Sequence, residues 1–132
     1  MEYKEPVEVV AALIYRGDRF LISRRPEGKA RAGMWEFVGG KAEEGETLEQ
    51  ALVRECREEI GVSIVVREPY MTVEYDYPDI SVRLTLFRAE IIFGEPTPLE
   101  GNTLEWIRAG EIPNYLFCPA DQAIIARLME EV

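Results

Sequence analysis

The chain has 132 residues, 47% of them hydrophobic, which is enough for one domain with a real core and too few for two. A formal net charge of −10 argues against a surface that follows a nucleic-acid backbone, and with no histidine in the chain a histidine base, a Ser-His-Asp triad and a Cys/His zinc site are all excluded. Cys56 and Cys118 lie far apart without a CxxC spacing, and no apolar run suits a membrane span or a signal peptide, so the expected compartment is the cytoplasm and no membrane partner is expected.

Val7 to Tyr15 is a nearly continuous apolar run rich in β-branched residues and reads as a strand buried on both faces. Gly17-Asp18 then makes a corner, and Phe20 to Ser23 returns as the second strand of a hairpin. The next stretch, Arg24 to Gly33, is a polar loop that carries four of the fifteen basic residues; it is either simply solvated or a phosphate contact. Trp35 to Val38 is a short strand ending at Gly39-Gly40, where the missing Cβ atoms let backbone approach a ligand closely.

A helix follows. Thr47 with Gln50 three residues later is a capping-box pattern, and Gly61 supplies the stop. Val53, Cys56 and Ile60 share the face expected to press on a sheet, while Glu55, Glu58 and Glu59 fall within an arc of roughly 100° and are expected to look outward. Three like charges so placed weaken an isolated helix by a few tenths of a kcal/mol per pair (about 0.2–0.5). A hard divalent cation seeking oxygen ligands, Mg²⁺ or Mn²⁺, turns that repulsion into binding.

Downstream, Ser63 to Arg67 and Tyr70 to Tyr75 read as two strands, Tyr77-Pro78-Asp79 as a turn, and Ile80 to Phe93 as a long strand. Glu95 to Thr103 has a loop's composition, and Leu104 to Ile107 is one more strand. A second helix begins at Pro119 or Asp121, with Ile124, Ile125, Leu128 and Met129 at helical spacing. Strands interleaved with two amphipathic helices indicate an α+β chain, a mixed β-sheet in an α/β/α sandwich.

The segment from Gly40 to Val62, GKAEEGETLEQALVRECREEIGV, carries Gly40, then Glu46 after five residues, Arg54-Glu55 after seven more, Glu58-Glu59, Gly61 and an apolar Val62. This resembles the Nudix box at every fixed position, with Cys56 where a larger aliphatic is common. Ser23-Arg24-Arg25, Trp35-Glu36-Phe37, Glu100-Gly101 and Pro119-Ala120-Asp121 extend the resemblance over most of the chain, to the MutT-like nucleoside-triphosphate pyrophosphohydrolases.

The resemblance implies a Nudix fold, and Mg²⁺-dependent hydrolysis of a modified or oxidised nucleoside triphosphate to the monophosphate and pyrophosphate. It makes Glu55, Glu58 and Glu59 the metal ligands, with the Gly39 carbonyl and with Glu100 as a further ligand or as the base. Arg54 is expected to hold Glu55 by a charge-assisted hydrogen bond, with Glu46 helping, unless both form an ordinary helix-end salt bridge. Arg25 and Lys41 are the expected phosphate partners; Phe37 and Tyr77 either stack on the base or belong to the core.

Asp121 either reads the base or caps the last helix. The MutT branch that reads 8-oxoguanine has asparagine in its place, whereas an ionised carboxylate only accepts and suits an amino group such as cytosine N4, or the N1–H and N2–H₂ edge of a guanine. A CTP or 5-substituted dCTP pyrophosphohydrolase is therefore the rival activity. Outside catalysis, the alternatives are a nucleotide-sensing module and an acidic cation-binding protein; the protein is expected as a monomer or, by family habit, a homodimer.

Overall fold

In the computed structural model, which describes residues 5–131, the first strand does two jobs along its length. β1 (Val7–Arg16) pairs in parallel with β6 (Ser81–Phe93) and, over Val9 to Ala12, antiparallel with β4 (Val38–Lys41). Its far end turns through Gly17, at φ 64°, into β2 (Arg19–Arg24). β2 in turn pairs with β3 (Trp35–Glu36) and with β7 (Thr103–Ile107). β5 (Ser63–Asp76) closes the other edge against β6, so the sheet is mixed.

Alternation along β1 explains the layers. Val10, Ala12 and Ile14 face one side, where they meet Ala51, Leu52, Cys56 and Ile60 of α1 (Leu48–Ile60). Ala11 and Leu13 face the other, where they join Phe20, Phe37 and Phe117 with Ile124, Ile125 and Leu128 of α2 (Gln122–Glu130). A strand apolar on both faces thus has a helix over each, the expected α/β/α sandwich.

Several boundaries differ from the expectations, each for a local reason. The two strands expected around residue 68 are one 14-residue strand whose pairing slips on both sides of Pro69, a residue without an N–H that an edge strand tolerates. Trp35 to Val38 is broken at Phe37, because the chain there passes from pairing with β2 to pairing with β1. On α1 the fully buried stripe is Ala51, Leu52, Cys56, Glu59 and Ile60, with Val53 only partly covered. On α2, Met129 is exposed, and the helix is preceded by a 3₁₀ turn over Pro119–Asp121; another spans Ala109–Asn114. No helix among the described residues is long and apolar enough to cross a membrane.

Candidate active site

The glycine pair and α1 meet because Gly39 and Gly40 sit on β4 directly opposite Ala11 and Val10 of β1. A Cβ on Gly39 would collide with the Val10 carbonyl and Ala11 Cα, and one on Gly40 would collide with the Glu55 carboxylate. Helix and strand therefore approach as closely as backbone permits. The capping box forms as its spacing requires, with the Gln50 N–H donating to Thr47 Oγ1 at 3.1 Å and the Thr47 N–H to Gln50 Oε1 at 2.9 Å.

Beside this contact opens a cavity of about 360 Å³. One end is lined by Gly39, Gly40, Lys41, Glu55, Glu59 and Glu100. The other holds Glu36, Tyr77, Cys118 and Asp121, with Arg25 and Arg31 from the β2–β3 loop. Every expected site residue except Glu46, Arg54 and Glu58 contributes to its wall.

The three helical glutamates are not equivalent. Glu59 is 8% exposed and accepts a hydrogen bond from the Gly39 N–H at 3.2 Å. Burial, and then the nearby charge of Glu36, push its carboxyl up to about 8. Glu55 is raised by the same desolvation, partly countered by Arg54. Glu58 has a different environment: it is exposed, is not among the residues lining the cavity and accepts from Arg54 Nη1 at 3.2 Å. The expectation that all three look outward fails for Glu59, because the α1 face turned toward β4 is also the face packed on the sheet.

Arg54 grips Glu46 rather than Glu55. Its Nε and Nη2 donate to the two Glu46 oxygens at 2.7 and 2.9 Å, and Nη2 also donates to the Lys41 carbonyl at 3.0 Å. Glu55 Oε2 lies 3.6 Å away, an ion pair without a hydrogen bond. Adjacent helix positions point about 100° apart, so Arg54 reaches the loop more easily than its neighbour. The guanidinium draws the Glu46 carboxyl down to about 2, helped by the Glu43 N–H.

Other assignments also shift. Arg25 Nη1 is shared by the two Glu36 oxygens at 3.0 and 3.1 Å, and its Nε donates to the Ala30 carbonyl at 2.7 Å, so part of its donor set is engaged with Glu36 and the loop backbone. Lys41 is exposed on the cavity wall and forms no ion pair among the described residues. Phe37 is 3% exposed, with its ring between Phe20 and Phe117, and belongs to the core. Tyr77 has the Arg31 guanidinium 3.8 Å from its ring centroid and the Tyr75 ring at 4.7 Å; the face expected to receive a base is covered.

Asp121 is 3% exposed, makes no capping hydrogen bond and finds no donor among the described residues. The helix-cap alternative therefore falls. Burial pushes its carboxyl well above the usual range, Glu36 adds to the shift, and Arg25 opposes it. A carboxyl that holds its proton donates and accepts as an amide does, whereas an ionised one only accepts.

Reading the residues alone missed Glu36, Arg31 and the Ser23–Asn102 pair, in which Asn102 Nδ2 donates to Ser23 Oγ at 2.9 Å while Asn102 Oδ1 is buried without a partner. For Glu36 a signal was present: one charged residue between Trp35 and Phe37 in an apolar strand.

Among the described residues, no group of three or more acidic, histidine or cysteine side chains is gathered tightly enough to hold a metal ion by itself. The donors nonetheless fit a hard cation. Glu55 and Glu59 offer oxygen only, beside a glycine strand that leaves room, and Glu59 is a buried carboxyl short of positive charge.

The sequence profile of the NUDIX domain matches residues 9–127. The chain is 35% identical over 123 residues to the CTP pyrophosphohydrolase of Escherichia coli K12, covering 93% of this chain and 91% of that protein. It is 37% identical over 111 residues to the 8-oxo-dGTP diphosphatase of the same organism, covering 84% and 86%. The solution structure of the MutT protein of methicillin-resistant Staphylococcus aureus 252 superposes with a TM-score of 0.78 at 34% identity, over 98% of this chain and all of that one.

Proposed function

The chain belongs to the NUDIX domain family, and from that premise we propose that it hydrolyses a modified or oxidised nucleoside triphosphate to the nucleoside monophosphate and pyrophosphate. The observation that carries this reading is one cavity lined both by the α1 carboxylates Glu55 and Glu59 beside the Gly39-Gly40 strand and by the buried carboxyl of Asp121. A triphosphate needs the first and a nucleobase the second.

Glu55, Glu58 and Glu59, with the Gly39 carbonyl and Glu100, would hold Mg²⁺, or Mn²⁺ in its place; Glu58 accepts from Arg54 one helical turn away. When bound, the cation neutralises phosphate oxygens and lowers the pKa of an attacking water. Lys41 supplies a local positive charge for the phosphates, and the Arg54–Glu46 pair braces the Lys41 backbone. Glu100 sits on the loop before β7, within electrostatic reach of Glu55 and Glu59, where it can take a proton from water. The proposed substrates lie in the cytoplasmic nucleotide pool, and the proposal places the protein there.

Two base preferences follow from Asp121. Protonated, its carboxyl matches a guanine-type edge that presents both a donor and an acceptor, as in 8-oxo-dGTP; ionised, it only accepts, from the amino group of CTP or a 5-substituted dCTP or from the N1–H and N2–H₂ of a guanine. The raised pKa of Asp121 favours the first. Pyrophosphate release with Mg²⁺ over a panel of normal, oxidised and methylated triphosphates, with ADP-ribose and a sugar nucleotide included, tests the reading. An oxidised purine triphosphate is expected to lead; a leading cytidine nucleotide gives the rival, and no release from any triphosphate refutes both.

A further inference from the structure

The loop between β2 and β3 contributes Arg25, Pro26, Lys29 and Arg31 to the cavity lining. Among the described residues Arg31 alone combines a side chain with a positive φ, 59°. Such a conformation costs about 1 kcal/mol and persists where its surroundings hold it.

What holds it is a pair of contacts to the turn between β5 and β6. The guanidinium lies 3.8 Å from the Tyr77 ring centroid, and Nη1 donates to Asp79 Oδ1 at 3.0 Å. Both partners belong to that turn, so one side chain ties it to the β2–β3 loop. Tyr77 passes the contact on: its hydroxyl accepts from the Ala120 N–H at 2.9 Å, and Ala120 immediately precedes Asp121. The line from Arg31 through Tyr77 and Ala120 to Asp121 is made entirely of direct contacts or covalent bonds. It ends on the one carboxyl at that end of the cavity without a partner, since Glu36 is held by Arg25.

We infer that Arg31 is a positioning residue for base selection, fixing through Tyr77 and the Ala120 amide the place where Asp121 meets a nucleobase. The inference rests on the triphosphate reading above. A planar guanidinium is needed, because it covers an aromatic face and keeps an edge for Asp79, whereas lysine can satisfy Asp79 without covering the ring.

The test compares kcat and KM of wild type, Arg31→Ala, Arg31→Lys and Tyr77→Phe on the best nucleoside triphosphate and on a poorly cleaved one, with a thermal melt of each variant. Arg31→Ala and Tyr77→Phe are expected to raise KM for the best substrate about tenfold, change kcat much less, and compress the preference ratio by a similar factor. Lysine restores thermal stability in part but not the ratio. A ratio kept within about twofold of wild type overturns the inference, as does an equal loss on both substrates. A wild type that cleaves triphosphates without preferring any base overturns it as well. Should Arg31→Ala fail to fold, Tyr77→Phe, which deletes one oxygen, decides by the same criteria. A wild type that cleaves no triphosphate refutes the parent reading, an outcome distinct from a ratio that survives the substitutions.

Discussion

The Glu55 carboxylate rests directly on the backbone of Gly40, in the space a methyl group would fill. Its neighbour Gly39 is tight for a different reason, since a Cβ there would meet the main chain of β1 at Val10 and Ala11. The two glycines should therefore fail differently. Gly40→Ala is expected to melt within a few degrees of wild type, because a flexible side chain can move aside, yet to lose about 10²-fold in turnover as Glu55 leaves its place. Gly39→Ala is expected to lose about 3 kcal/mol or more of stability, because backbone cannot yield. Thermal melts paired with initial rates separate the two, and equal melting temperatures would contradict the packing described.

Glu59 makes stability and metal binding pull against each other. Its carboxyl stands at about 8 in the folded protein, above the ordinary 4.5. The folded state thus keeps a proton that the unfolded state has released. That contribution is fully present below about pH 4.5 and is lost as pH rises through about 8. Glu59→Gln removes the burden of a buried charge, so at pH 9 without metal it should raise stability by roughly 1–2 kcal/mol, with the gain vanishing toward pH 5. Turnover should fall at least about 10²-fold. Melts across pH with a chelator present check the first statement, and a variant less stable than wild type at pH 9 would reverse it.

The pairing of Arg54 with Glu46 has the opposite pH sign. Glu46 is drawn down to about 2 by the Arg54 guanidinium, so its favourable contribution is present above about 4.5 and fades as pH falls toward 2. Glu46→Ala should leave the shape of the activity profile between pH 6 and 8 as in wild type while lowering turnover about tenfold, through a Lys41 backbone less firmly held. A rate profile whose shape changes in that range would point to a proton-transfer role instead.

Asp121 should tolerate its amide. Asp121→Asn preserves the donor and the acceptor of a protonated carboxyl and is expected to keep kcat/KM within about threefold for the preferred substrate, whereas Asp121→Ala loses roughly 10- to 100-fold. A large loss in the asparagine variant, with activity surviving on cytidine nucleotides alone, would show that the ionised form reads the base.

Much of this protein was legible in one dimension because the information was local. The capping box at Thr47 and Gln50, the stop at Gly61 and the two-sided apolar run of β1 are set by neighbours a few residues away, and they specify α1, the central strand and the sandwich. The spacing of Gly40, Glu46, Arg54, Glu55, Glu58 and Glu59 likewise placed the acidic motif on one helix beside a glycine turn. What the order of residues left open was which carboxylate points where.

Helical periodicity puts Glu58 and Glu59 within 100° of each other, and only the packing of α1 on β4 and β1 buries one and leaves the other exposed. Arg54 could have turned to several acids; the loop that brings Glu46 to 2.7 Å decided among them. The far end of the cavity depended still more on tertiary structure, since Arg25, Arg31, Glu36, Tyr77 and Asp121 come from four separate stretches of chain. Desolvation is a property of what surrounds a group, and no spacing rule carries it. The raised carboxyls of Glu59 and Asp121, and the covered face of Tyr77, therefore existed only once the sheet and both helices had closed around them.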